Sequence, residues 1–480
     1  MRDFLNKCRK FFTGKKMKYG TNAAILTVAF LAILVVINLI VGTFDWKKDL
    51  TKNQLFSFSD QTIKVLEGLN QPVNIFALYP QGQKDEFVME VLERYDRESK
   101  HINVEVIDPV KNPGFTKKYD EDGKGIPNGS FIVEGEKRFK IVRSYDLVNY
   151  NFQTQRVDSL LAEQRFTSAV SFATSEKVPA LYFVQGHGEA ALTGITENLE
   201  TENYETEQLN LLTEAIPDNA DAIIIASPKR DFAADEIEKL DTYFDKGGRA
   251  IFLFDIAKDP LPKLESYLEE WGVRLNQDVV IEGDQNKFYS QPTYLLPDIQ
   301  SHEITGTIKR NQLNLLIPVA RSMEVLFEEK GSIKVNSLVK SSADSWGKTN
   351  FDSNTFQQEE GDLPGPLDIA VAITRPNYDE ENNNKPLPET KILVVGNTAF
   401  LDSNTILNNQ LANIDFFMNG LSWMQDQEDK ITIRPKSLVQ ERMNITSQHQ
   451  IQLYALLVVI VIPLIIFILG GVVWMRRRHL

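Results

Sequence analysis

The longest apolar runs lie near the two ends of the chain, from Ala23 to Val41 (AAILTVAFLAILVVINLIV) and from Leu453 to Trp474 (LYALLVVIVIPLIIFILGGVVW). Each is about as long as the roughly 20 apolar residues an α-helix needs to cross a bilayer, so the pattern predicts a transmembrane helix at either end. Positive charge gathers outside both runs. Arg2, Lys7, Arg9, Lys10, Lys15, Lys16 and Lys18 precede the first, and Arg476, Arg477 and Arg478 follow the second. The bias of Lys and Arg toward the cytoplasm predicts both termini inside, as tails over 1–20 and 475–480, with everything from about Asp45 to Gln450 on the far side. No small-x-small cleavage site follows the first run, which reads as a retained anchor.

Between the runs the pattern shifts to short periodic segments. A polar stalk is expected over 44–60, then a small α/β domain over 61–150. Its elements are a helix from Gln61 to Leu69 capped by Ser59 or Asp60, a strand from Val73 to Tyr79, and an amphipathic helix from Lys84 to Ser99. A strand from Ile102 to Ile107 and a hairpin of Ser130 to Glu134 and Lys137 to Val142 complete it. A larger domain is expected over 151–440, entered by a helix from Gln155 to Ser175. Nearly continuous apolar strands from Ala180 to Val184, Ala222 to Ala226 and Ala250 to Phe254 alternate with helices from Thr193 to Asn203, Asp235 to Lys246 and Pro260 to Trp271. That alternation predicts a parallel, doubly wound α/β sheet whose strands are buried on both faces. Periodicity weakens from Gln285 to Asp368. Strand patterns return from Ile369 to Ile373 and from Lys391 to Val395, and the polar, Pro-flanked stretch from Pro376 to Thr390 reads as a surface loop or disordered insert. A helix from Ile414 to Trp423 and a linker over 441–452 lead to the second apolar run.

Charge and cysteine content narrow the function. The 480 residues carry a net charge of −14, and setting aside the basic tails leaves about −23 between the runs. A surface this acidic repels nucleic acid and anionic headgroups. The single cysteine, Cys8, lies in the first tail, so the expected outer part has no disulfide, thiol catalysis or Cys-based metal site.

The most site-like cluster is Gly186-His187-Gly188-Glu189, just past the carboxyl end of the first strand of the expected parallel sheet, where such folds place ligands. Its glycines would admit a ligand to the backbone, and His187 and Glu189 carry acid–base or ligand-binding capacity. A tight strand-to-helix turn accounts for the same residues. Asp255 ends another strand and would share the crevice, as a contact or as a cap. No Ser nucleophile, second His or Cys stands at a catalytic spacing, and His101, His302, His449 and His479 form no metal-binding spacing. With no GxxxxGK[ST] motif, the chain is no ATPase. Gly247-Gly248 reads as a helix C-cap. The expectation is a non-catalytic protein with no metal and no cofactor, in which Gly186, His187, Gly188, Glu189 and Asp255 contact a ligand or partner. A membrane-anchored hydrolase or carbohydrate-processing enzyme using His187, Glu189 and Asp255 is the alternative, and a structural envelope scaffold is another.

Several segments, in order, resemble the auxiliary-protein family of ABC-type transport systems, the GldG-like group. They are Leu50-Thr51-Lys52-Asn53-Gln54-Leu55-Phe56-Ser57, Ile107-Asp108-Pro109, Gly186-His187-Gly188-Glu189 and Asp245-Lys246-Gly247-Gly248-Arg249. Further on come Val394-Val395-Gly396-Asn397, Asn419-Gly420-Leu421-Ser422-Trp423 and Ile433-Arg434-Pro435-Lys436, together with the Val73 to Tyr79 strand and the terminal apolar run with its Arg cluster. The resemblance implies a thioredoxin-like first domain without CxxC and an amidotransferase-like second domain without the nucleophilic Cys. It also implies an auxiliary subunit of the bacterial cell (inner) membrane that works with a separate permease and a cytoplasmic ATPase, its extracytoplasmic part binding a substrate or envelope partner.

Overall fold

The computed structural model describes residues 27–36, 57–120, 123–151, 155–257, 259–353, 355–379, 385–402, 405, 411–426, 433, 436–438, 456 and 460–478. The chain divides into two compact units, Met1–Ser57 and Phe58–Leu480. In the first, residues 27–36 form a helix with exposed side chains.

In the second unit, α1 (Asp60–Glu67) starts where the Ser59 hydroxyl accepts the Thr62 amide at 3.3 Å. Strand β1 (Val73–Leu78) follows, then α2 (Glu86–Glu98), begun by the Asp85 carboxylate on the amides of Phe87 and Val88. Val88, Val91, Leu92 and Tyr95 form the buried stripe of α2. Strands β2 (Ile102–Ile107), β3 (Phe131–Glu134) and β4 (Phe139–Val142) complete a sheet of order β2-β1-β3-β4. β1 is parallel to β2 and antiparallel to β3. Short helix α3 (Pro113–Lys117) lies between β2 and β3.

The helix expected from Gln155 is shorter than its pattern implied. β5 (Val148–Asn151) and β6 (Arg156–Leu160) form an antiparallel pair, and α4 (Ala162–Thr174) begins after it. Ala162, Phe166, Ala169, Val170 and Ala173 of α4 share one core with Val73, Ile75 and Phe131 of the four-stranded sheet.

The large sheet is built on β7 (Ala180–Gln185), β8 (Glu205–Asn210), β9 (Ala220–Ala226) and β10 (Arg249–Leu253), in the order β8-β7-β9-β10 and all parallel. Strand Lys385–Val395 adds a fifth parallel neighbour beside β10, and strand Asp368–Asp379 then runs antiparallel to it. The sheet is therefore mixed, with a parallel half and an antiparallel half. Helices α5 (Thr193–Thr201), α6 (Ala234–Asp245) and α7 (Pro262–Glu270) accompany the parallel half. Alternate residues of one strand reach opposite faces. Leu181 joins Ile195 and Leu199 of α5 in one core, whereas Ala180, Tyr182 and Val184 join Leu240 and Phe244 of α6 in the other. Helix Asn413–Met424 is buried along nearly its whole length against the first of these cores.

The stretch from Pro376 to Thr390, expected as a loop, continues the hairpin on both sides. Asn377 pairs with Leu387, Tyr378 with Pro386 and Asp379 with Lys385, after a register shift between Arg375 and Asn377. Its prolines sit at this irregular outer end, where a missing ladder hydrogen bond is tolerated. Residues 380–384 lie outside the described residues.

The two expected transmembrane helices are corrected. Among the described residues no helix is long and apolar enough to cross a membrane. Of the first run, residues 27–36 form the described helix; of the second, the described helix is Ile462–Arg478 with 17 residues, and it ends in three arginines. The multi-pass membrane location with cytoplasmic termini, inferred from those spans, falls with them. The remaining residues of both runs, the first basic tail, most of the stalk and the linker lie outside the described residues.

Candidate functional site

The loops leaving β7 and β9 meet where the strand order reverses, since β8 lies on one side of β7 and β9 on the other. In parallel sheets the crevice above this point receives ligands. The path out of β7 needs glycine: Gly186 has φ 120° and Gly188 φ 77°, values an L side chain rarely adopts. These two turns fold His187 back under the loop, where it is 3 % exposed.

His187 sits between two carboxylates. Its Nδ1 lies 3.0 Å from Glu189 Oε1, and its Nε2 lies 3.0 Å from Glu236 Oε2. The ring stacks on Phe232 with centroids 4.1 Å apart and planes 10° from parallel. Glu189 also accepts the His187 backbone amide at 2.9 Å, and Glu236 accepts the Ala233 amide at 2.8 Å in the first turn of α6. A carboxylate only accepts, so this network assigns a proton to each ring nitrogen and makes His187 an imidazolium. Burial pulls its pKa down, but the hydrogen bonds to Glu189 and Glu236 outweigh burial and leave it raised. For Glu189 burial pushes the other way, and the bond from His187 with the backbone amides holds its carboxyl below the usual range.

The loop after β9 latches this arrangement. The amides of Lys229 and Arg230 donate to the His187 carbonyl at 2.9 and 3.0 Å, and the Arg230 guanidinium donates to the Gly186 carbonyl. Ala190 donates to the Ala226 carbonyl at 2.7 Å. The backbone groups that would greet a ligand at the switch point are thus bonded to one another. With both nitrogens donating, His187 has no lone pair for general-base work, and its two carboxylate partners sit on opposite sides of the ring and do not converge on one ion.

Asp255 stands apart from this triad. Its carboxylate accepts from the Thr398 amide and hydroxyl, both at 2.7 Å, and so ties the loop after β10 to the segment after strand Lys385–Val395. The structure brings His187 and Glu189 together, held by Gly186 and Gly188, and gives Asp255 a separate anchoring contact. Glu236 completes the triad and Phe232 stacks on its ring, neither having been singled out in the sequence. The signal for Glu236 was its place in the first turn of a helix that follows a strand end, where a carboxylate caps free amides.

A family model described as an ABC-type uncharacterized transport system matches residues 178–420, and one for a domain of unknown function (DUF7088) matches residues 52–149. No curated protein matches the chain. Among solved structures, the mmIFT52 N-terminal domain is similar at 16% identity over 51% of this chain and 96% of that one, with a TM-score of 0.37. The PurLQS structure from Thermotoga maritima is similar at 9% identity over 52% of this chain and 100% of that one, with a TM-score of 0.26. Scores this low bear on neither fold nor activity. The family match covers half of the chain and contains the whole β7–β10 sheet with its latched His187 loop, and the chain belongs to this auxiliary family of ABC-type transport systems.

Proposed function

We propose that this auxiliary component acts by binding and not by catalysis, with a separate permease and an ATPase as its partners. The observation that carries the reading is the closed triad, because a buried imidazolium between Glu189 and Glu236 can neither take a proton from a substrate nor reach one. In this reading Gly186, His187 and Glu189 set the shape of the loop, and Asp255 sets its neighbour. The contact itself is made by the exposed rim of Gly188, Lys229 and Arg230. Two basic side chains on an otherwise acidic chain suit an acidic patch on a partner subunit. A small domain over 61–150 and a larger one over 151–440 would provide separate binding surfaces.

The test is co-purification of the full chain at native expression, after crosslinking. An ABC permease or ATPase should come with it, and Lys229→Glu should deplete that partner while the thermal melt stays unchanged. Failure to recover either subunit refutes the reading. So does any substrate turnover that His187→Ala abolishes with the fold intact.

A further inference from the structure

Strand β2 forms one edge of the four-stranded sheet, with β1 as its only strand neighbour among the described residues. The large sheet's elements attach at the opposite edge. Lys140 of β4 donates to the Thr201 carbonyl at 2.8 Å, at the end of α5, and the Arg138 guanidinium donates to the Glu176 carbonyl at 3.1 Å. The ladder fixes which backbone groups of β2 face outward. Val73 donates to the His101 carbonyl and Tyr79 to the Ile107 carbonyl, and the register from Val73 with Ile102 to Leu78 with Ile107 has no shift. Alternate residues of a parallel strand turn both N–H and C=O to one neighbour, so Asn103 and Glu105 bond toward β1 while Ile102, Val104 and Val106 face away. Among the described residues only the Ile102 amide has a partner on that side, the Ser99 carbonyl at 3.1 Å. A straight edge with no lysine, proline or bulge is a template for another strand.

Its side chains fit a copy of themselves. About a two-fold axis at Val104, an antiparallel second β2 sets Val104 against Val104 and Ile102 against Val106 as hydrogen-bonded pairs, with Asn103 against Glu105 between them. The amides of Val104 and Val106 and the carbonyls of Ile102 and Val104 would then be bonded. Ile102, Val104 and Val106 lie on the face that packs with α2, so apolar meets apolar there. On the other face Asn103 and Glu105 are exposed. One N–H of the Asn103 amide serves Asn74 at 3.2 Å, and the second can donate to the facing carboxylate. An axis at Glu105 would set that carboxylate against its own copy, which selects Val104. Edge strand β8 lacks this fit. Glu205 bonds inward to the Pro179 carbonyl at 2.9 Å, so Thr206 and Gln208 face outward. Self-pairing centred on Thr206 or on Glu207 would set glutamate against glutamate.

From these observations we infer that β2 is a self-association edge, at which a second copy of this chain pairs antiparallel about Val104 and joins the two small sheets into one. The inference does not depend on the partner-docking reading, whose contact is the rim of Lys229 and Arg230.

Sedimentation equilibrium of the full chain in neutral detergent, from about 1 to about 100 µM, should show a dimer that dissociates on dilution. Val104→Pro takes away an outward amide and no bond to β1, and should leave only monomer. Asn103→Glu sets carboxylate against carboxylate on both sides of the axis and should raise the dissociation constant about tenfold. Gln208→Pro, the matching change on β8, should leave the dimer as it is. Circular dichroism melts should show all three variants folded; were Val104→Pro to unfold, Asn103→Glu at its exposed position decides. A chain that stays monomeric over the whole range overturns the inference. So does a dimer that neither β2 variant weakens, or one that Gln208→Pro weakens equally.

Discussion

Replacing His187 by alanine removes the cation between Glu189 and Glu236 and the ring that stacks on Phe232 at 4.1 Å. Glu236 is fully buried, so its carboxylate would be left without its counter-charge. Removing one partner of a buried ion pair costs about 3–5 kcal/mol, because the remaining charge is left uncompensated. The sign of the pH dependence follows from the two directions of shift. His187 is raised above its ordinary value, so its contribution is fully present below about pH 6.5 and is lost as pH rises through the folded value. Glu189 is lowered, so its contribution is present above about pH 4.3 and is lost as pH falls through its folded value. The triad therefore stabilises the loop most in the interval between. In His187→Ala both trends disappear.

Hydrogen exchange at the amides of Lys229 and Arg230 reads this locally, since both donate to the His187 carbonyl. Their opening free energy should fall by about 3 kcal/mol or more at pH 6 in the variant. In the native chain, nitrogen-resolved magnetic resonance of the His187 ring should show a proton on both nitrogens at that pH. A loss below about 1 kcal/mol, or one bare ring nitrogen, would refute the reasoning.

Three further outcomes are expected. The buried Tyr95 hydroxyl bonds the Glu163 carbonyl at 2.9 Å and the Thr167 hydroxyl at 2.6 Å, so Tyr95→Phe should cost about 1–3 kcal/mol in urea unfolding. Burial pushes its phenol far up, and it should stay silent in an ultraviolet titration until the protein unfolds. Gly247→Ala should lower the melting temperature well beyond Gly331→Ala. Both have positive φ, which costs about 1–2 kcal/mol for alanine, but a Cβ on Gly247 would also lie 2.3 Å from the Pro388 carbonyl oxygen while Gly331 faces open space. Asp255→Asn should cost about 1–2 kcal/mol by weakening the clasp on Thr398, and should leave the ring signals of His187 unchanged. A shift in those signals would mean that the two sites are coupled.

Much of the local structure was legible because it is periodic. Val88, Val91, Leu92 and Tyr95 recur at helical spacing and face the core, and AIIIA and AIFLF mark strands covered on both sides. Gly247 and Gly248 were readable as the end of α6, where their amides return to Phe244 and Tyr243. Other features were not local. The polar arms around Asn377 and Leu387 carry no strand period, and their pairing depends on the strands they extend. The apolar runs at the ends were legible as composition, yet among the described residues no helix there is long and apolar enough to cross a bilayer.

The candidate site divides in the same way. The order of residues alone determined that a Gly-His-Gly-Glu turn follows a buried parallel strand and that the chain resembles a transport auxiliary family. The tertiary structure decided what the histidine does. Glu236 is far from His187 in the chain and reaches it only because β7 and β9 are neighbours and α6 starts beside their carboxyl ends. The same packing carries Asp255 to Thr398 and away from His187. A side chain's chemistry is set by its partners and its exposure, and for these residues the packing of distant segments supplies both.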